Sequence, residues 1–217
     1  IAVLVGDYLL SKGLILTTSN KRLDLLEIVS KAVKSMSEGE LLQMEKARKM
    51  DITEEVYFRI IKQKTASLVA ACCGTGACSV VSDTKLISKM ENIGINVGMA
   101  FQIKDDIFDY GSSENIGKPT GIDIKERKLT LPLIYTLNKV DKSTKRMIIN
   151  TIKKNKQNPK KVQEIIQLVI NQGGIAYAEK KMHEFKDLAL KELNDIPSSE
   201  AKDSFIGLIN YSINRIN

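Results

Sequence analysis

Four prolines, three cysteines, one histidine and a 5% share of aromatic residues are the scarcities of this 217-residue chain. Each closes off a class of protein. With so few prolines and a near-continuous helical period, the chain reads as all-α. Cys72, Cys73 and Cys78 are odd in number and lie in a small-residue helix without metal-ligand spacing. A disulfide framework is therefore excluded, and buried free thiols in a reducing cytosol are expected. His183 lies among charged residues and is read as a surface residue; without a Glu-x-x-His pair, a carboxylate-bridged di-iron bundle is discounted. Few aromatics and no recognition motif argue against nucleic acid as a partner. No secretory or transit segment is visible. The uncharged stretch from Thr65 to Ser82 could span a bilayer by length, but Gly, Ser, Thr and Cys dilute it, so a tightly packed interior helix is expected.

What is present suits one domain over 1–217: 43% hydrophobic and 27% charged residues, with no internal boundary. The chain opens at Ile1, already inside an apolar helical pattern, so the expectation is the C-terminal portion of a longer domain. Helices are expected over 1–18, 20–49, 53–77 and 83–110, then over 129–139, 142–155, 159–171, 173–195 and 198–214. Thr53 serves as one cap and Asp83 or Ser82 as another, and Gly111–Lys128 as a loop. The net charge of +7 is uneven: nine Lys or Arg stand between Lys139 and Lys161 against the single acid Asp141. A solvated face is the ordinary reading of such a run, and weak contact with an anionic membrane surface the functional alternative.

The densest chemistry is in Phe101-Gln102-Ile103-Lys104-Asp105-Asp106-Ile107-Phe108-Asp109. At about 100° per residue, Asp105 and Asp109 share a helix face with Gln102 and Gly98, and Asp106 sits beside them. Three carboxylates on one flank of an apolar helix repel one another unless a cation sits among them. Hard oxygen donors of this kind suit Mg²⁺, which keeps several waters and shares its remaining positions with phosphates. A second signal is Lys64-Thr65, where Lys64 projects among Tyr57, Ile60, Ile61, Leu68 and Ala71. An inward lysine must find an anion or lose its proton. The third is Gly117-Lys118-Pro119-Thr120-Gly121-Ile122-Asp123, rich in Lys and Gly and directly after the aspartate helix. It lacks the spacing of a P-loop.

With Gly6-Asp7-Tyr8-Leu9 and Gly39-Glu40-Leu41-Leu42-Gln43, these segments, in this order, resemble the trans-isoprenyl diphosphate synthases, or polyprenyl synthetases, over about the first 130 residues. The resemblance implies a helical bundle around a central cavity, the type I isoprenoid synthase fold. It implies head-to-tail condensation of an allylic prenyl diphosphate with isopentenyl diphosphate, with Mg²⁺ as cofactor, in a cytoplasmic homodimer. By the family pattern, Asp105, Asp106 and Asp109 hold metal, while Lys64, Thr65, Gln102, Lys118 and Lys128 contact the diphosphate. Lys64, Asp105 and Lys118 are then the catalytic candidates, and Gln43 and Phe101 face the cavity. Gln43, where short-chain members carry an acid, points to the long-chain, octaprenyl-diphosphate-synthase-like members. The family's first Asp-rich motif should precede Gly6-Asp7 and is not in this sequence, so this chain alone is expected to be inactive. The alternatives are a non-catalytic helical subunit of a heteromeric synthase, a terpene cyclase of the same fold, against which Lys64-Thr65 and Gly117-Lys118-Pro119-Thr120-Gly121 count, and an unrelated helical interaction protein.

Overall fold

The computed structural model describes residues 1–111, 121–154 and 158–215. Among them there is no strand, and the chain is all-α. The helices are α1 (Ala2–Ser19), α2 (Leu23–Lys49), α3 (Glu54–Ile61), α4 (Ser67–Cys78), α5 (Thr84–Phe108), the single turn α6 (Ile122–Lys125), α7 (Leu131–Lys139), α8 (Lys142–Lys154), α9 (Pro159–Asn171), α10 (Gly174–Leu193) and α11 (Glu200–Asn214). A π-helical turn, Lys62–Ala66, joins α3 to α4.

Side-chain caps fix several starts. Thr53 accepts from Val56 N at 3.3 Å and Asp83 from Lys85 N at 2.9 Å. Asn158 accepts from Lys160 N at 3.0 Å with Pro159 in the first turn, and Ser199 accepts from Lys202 N at 3.2 Å. Each satisfies an N–H that the helix itself leaves unpaired. Asn20 behaves otherwise than expected. Its Nδ2 donates to Leu16 O at 2.7 Å, closing α1, and α2 begins at Leu23 without a side-chain cap.

Helix α5 is the centre of the bundle and packs chiefly against α4 and α10, while α2 covers α4 and the π turn. The main core gathers Ile103 of α5, Ile124 of α6, Leu131, Leu133 and Ile134 of α7, Ile148 and Ile152 of α8, and Val169 of α9. Burying several such branched side chains, at about 1.5–3 kcal/mol each, drives this assembly. Helix α1 has no buried residue, and its Leu4, Leu9 and Ile15 stay exposed.

Two expectations change. The small-residue helix α4 is interior on one face only: Ala70, Ala71, Gly74 and Cys78 are buried, while Leu68 and Cys72 are exposed. Among the three free thiols, then, Cys78 alone is buried. His183 is exposed, as expected. Among the described residues no helix is long and apolar enough to cross a membrane.

Candidate active site

Where α2, the π turn and α5 meet, glycine lets the backbones approach closely. A Cβ on Gly39 would stand 2.7 Å from Lys64 N, and one on Gly98 would stand 2.5 Å from Ala66 Cα. The π turn adds a residue to the local helical repeat and so turns Lys64 and Thr65 relative to α3. Lys64 reaches α2, where its ammonium donates to Gln43 Oε1 at 2.7 Å and pairs with Glu40 Oε2 at 2.6 Å. Thr65 reaches α5, donating to Gln102 Oε1 at 2.9 Å.

Between these elements lies a cavity of about 230 Å³. Gln43, Lys64, Thr65, Gln102, Asp105, Asp106, Asp123 and Lys128 supply its polar wall, and Ile52, Ile60, Ile61 and Leu129 its apolar one. Asp106 is the most deeply set acid, 6% exposed. It accepts from Tyr57 OH at 2.7 Å and from Gln102 Nε2 at 3.0 Å. Burial pushes its carboxyl up to about 7 against the lowering effect of the Tyr57 hydroxyl, and the charges of Asp123 and Asp105 add to the rise. Burial also raises Asp123, against the attraction of Lys128, whose ammonium stands 3.6 Å from Asp123 Oδ1 and 2.5 Å from Glu126 Oε2. Asp105 pairs with Arg215, whose guanidinium stacks 4.3 Å from the Phe101 ring centroid and 5.5 Å from that of Phe108.

Asp109 is the third acid of the motif, and it does not line the cavity. Its carboxylate accepts from Ile122 N at 2.8 Å and Asp123 N at 3.2 Å, and its carbonyl accepts from Gly121 N at 2.9 Å. It thereby ties down the turn carrying Asp123, which Gly121 enters at φ +74°. Burial, followed by the charge of Asp123, pushes Asp109 up to about 6.

Of the residues singled out from sequence, Gln43, Lys64, Thr65, Gln102, Asp105, Asp106 and Lys128 share this cavity. Asp109 and Phe101 do not line it: Asp109 turns to the α6 backbone, and the Phe101 ring packs under the Arg215 guanidinium. Lys118 lies outside the described residues. Sequence reasoning missed three partners. Asp123 ends the Gly117–Asp123 motif with nothing to mark it as an acid of the site, Tyr57 reads as one more core residue, and Arg215 lies far along the chain. Among the described residues no three acidic, histidine or cysteine side chains close into a metal cage. The donors nonetheless fit Mg²⁺: carboxylates crowd one wall, burial leaves their charge poorly solvated, and Mg²⁺ binds through one or two carboxylates plus water and phosphate.

A polyprenyl synthetase family model matches residues 1–169. The octaprenyl diphosphate synthase of Escherichia coli is 32% identical, over 99% of this chain and 66% of its own length. The chloroplastic solanesyl diphosphate synthase 2 of Arabidopsis thaliana is 30% identical, over 100% of this chain and 51% of its own length. The chain thus spans about half to two thirds of these relatives. A decaprenyl diphosphate synthase structure from Rhodobacter capsulatus superposes with a TM-score of 0.91 at 31% identity, covering 99% of this chain and 66% of that one. A polyprenyl synthase from Caulobacter crescentus, complexed with calcium and isoprenyl diphosphate, gives 0.90 at 29% identity with the same coverages.

Proposed function

The chain belongs to the polyprenyl synthetase family, and from that membership we propose that it carries the allylic-diphosphate site of a prenyltransferase. The single observation behind this reading is the shared cavity, where Lys64, Thr65, Gln102 and Lys128 face Asp105, Asp106 and Asp123. The reaction proposed is condensation of an allylic prenyl diphosphate with isopentenyl diphosphate. The allylic C–O bond breaks with its electron pair leaving on pyrophosphate, the isopentenyl double bond bonds to the allylic carbon, and a proton departs.

The residues suit that chemistry. Negative charge grows on the departing pyrophosphate, so cations already fixed in place stabilise the transition state more than the ground state. Lys64 has three N–H donors and gives two to Glu40 and Gln43, which leaves one for a phosphate oxygen. Lys128 offers a second cation, and Lys118 is proposed as a third from its motif. Asp105 and Asp123, with Asp106 beside them, would hold Mg²⁺; Asp109 would act by fixing the turn that carries Asp123. When bound, Mg²⁺ supplies charge neutralisation of the diphosphate. Ile52, Ile60, Ile61 and Leu129 make an apolar wall that excludes water from a reactive carbocation.

A long polyprenyl product is part of the proposal, supported by Gln43 and by the similarity to octaprenyl and decaprenyl synthases. A homodimer belongs to it too, supported by the exposed apolar residues of α1, as does a cytoplasmic setting, supported by three free thiols. One Asp-rich motif is present in these 217 residues, so the chain by itself is proposed to bind its allylic substrate and to turn over little. The test is equilibrium binding of an uncleavable farnesyl thiodiphosphate with and without Mg²⁺. Metal-dependent binding, tighter than that of inorganic pyrophosphate, is expected. Binding that ignores the metal, or that farnesol displaces equally well, would overturn the reading.

A further inference from the structure

Tyr57 occupies a position that the expected roles leave unexplained. It sits in α3, is 4% exposed, and packs edge-to-face on Phe58 with ring centroids 5.4 Å apart. By sequence it is one apolar residue in a buried stripe. Yet its hydroxyl donates at 2.7 Å to the Asp106 carboxylate, 49 positions along the chain, and both groups are buried. The other Asp106 oxygen takes the Gln102 amide, and Gln102 in turn accepts from Thr65. The result is a hydrogen-bonded chain, Thr65 to Gln102 to Asp106 to Tyr57, running from the π turn across α5 and back to α3.

A buried carboxylate with a donor on each oxygen has one accessible rotamer, and losing either donor strands a lone pair away from water. Asp106 adjoins Asp105 on the cavity wall, so the rotamer of one sets the room and the field available to the other. We propose that Tyr57 is a positioning residue of the diphosphate site: its hydroxyl clamps Asp106, so that the acid wall and Gln102 keep one arrangement for a metal-bound diphosphate. The inference rests on the reading of this cavity as a diphosphate site. Partners of this kind, one bond removed from the ligating groups, typically change metal affinity 10- to 100-fold when lost.

The experiment is a calorimetric titration of pyrophosphate in saturating Mg²⁺ into the full chain and into Tyr57→Phe, Asp106→Asn and the double variant. Phenylalanine keeps the ring and its packing and removes only the donor. Tyr57→Phe is expected to bind about tenfold more weakly or worse, with its helical circular dichroism retained. The two substitutions should be non-additive, because the hydroxyl acts through that carboxylate. Equal affinity in Tyr57→Phe, or strictly additive losses, would overturn the clamp while leaving the diphosphate site intact. Absence of metal-dependent binding by the unaltered chain would instead defeat the site itself. A readout that keeps the hydroxyl is the ¹⁹F resonance of 3-fluorotyrosine at position 57. It should move when Mg²⁺ and pyrophosphate are added together, and a resonance that stays put contradicts the proposal.

Discussion

Lys64 shows how a single side chain ties the site together. Its ammonium is half-exposed at 35% and already engages Glu40 and Gln43, so it arrives at the cavity oriented rather than free to wander. A charge-assisted hydrogen bond to phosphate is worth about 1.5–3 kcal/mol. Lys64→Met should therefore weaken Mg²⁺–pyrophosphate binding roughly 10- to 100-fold, while helical content in circular dichroism stays constant. Unchanged binding would remove Lys64 from the site. The lysine and the Asp105–Asp106 pair were legible in the sequence because charge interrupts an otherwise apolar helical face. Tyr57 was not, since a tyrosine in an apolar stripe looks the same whether or not its hydroxyl has a partner. Asp123 was hidden by its setting among Lys125, Glu126, Arg127 and Lys128, where one more charge looks like surface.

At the scale of elements, helix ends were readable where a short polar side chain marked them, as at Thr53 and Asp83. The π turn was not, because the extra residue it absorbs leaves no mark in the residue period. The single turn α6 is also invisible locally: its order comes from Asp109, thirteen positions earlier, accepting from Ile122 N. Close helix contact makes a sharp prediction for Gly98. A methyl there would meet Ala66 Cα at 2.5 Å and Ala66 Cβ at 2.9 Å. Gly98→Ala should cost about 1–3 kcal/mol and lower Tm by roughly 2–10 °C, as differential scanning calorimetry would record; an unchanged Tm would mean the helices can part without loss. Asp141 supplies a pH-dependent case. It accepts from Ser143 N at 2.7 Å, Thr144 N at 3.1 Å and Thr144 Oγ1 at 2.6 Å at the start of α8, and these bonds, the Thr144 hydroxyl foremost, lower its pKa. Its contribution is present above the ordinary carboxylate pKa and is lost as pH falls through the lowered value. Asp141→Ala should melt below the parent at pH 6 and approach it as the pH nears 2. A difference that persists in strong acid would deny that the carboxylate is the cause.

For the molecule as a whole, α5 is the helix on which the site is built. It packs against α4 and α10 on its flanks, and its last two turns hold Gln102, Asp105 and Asp106 on the wall of one cavity. The bundle brings to that wall a lysine from the π turn and an aspartate from α6, residues separated by 59 positions at their extremes, Lys64 and Asp123. The family's fold was legible from motif order alone; the pairing of Arg215 with Asp105 was not, since nothing near the end of the sequence announces it. The central claim is that this cavity takes diphosphate together with a divalent metal. Its most direct test is isothermal titration of inorganic pyrophosphate into the chain, once with Mg²⁺ and once with a chelator. One saturable site that appears only with Mg²⁺, and that Asp105→Asn abolishes, is the predicted result; no heat in either titration, or the same isotherm in both, would contradict it.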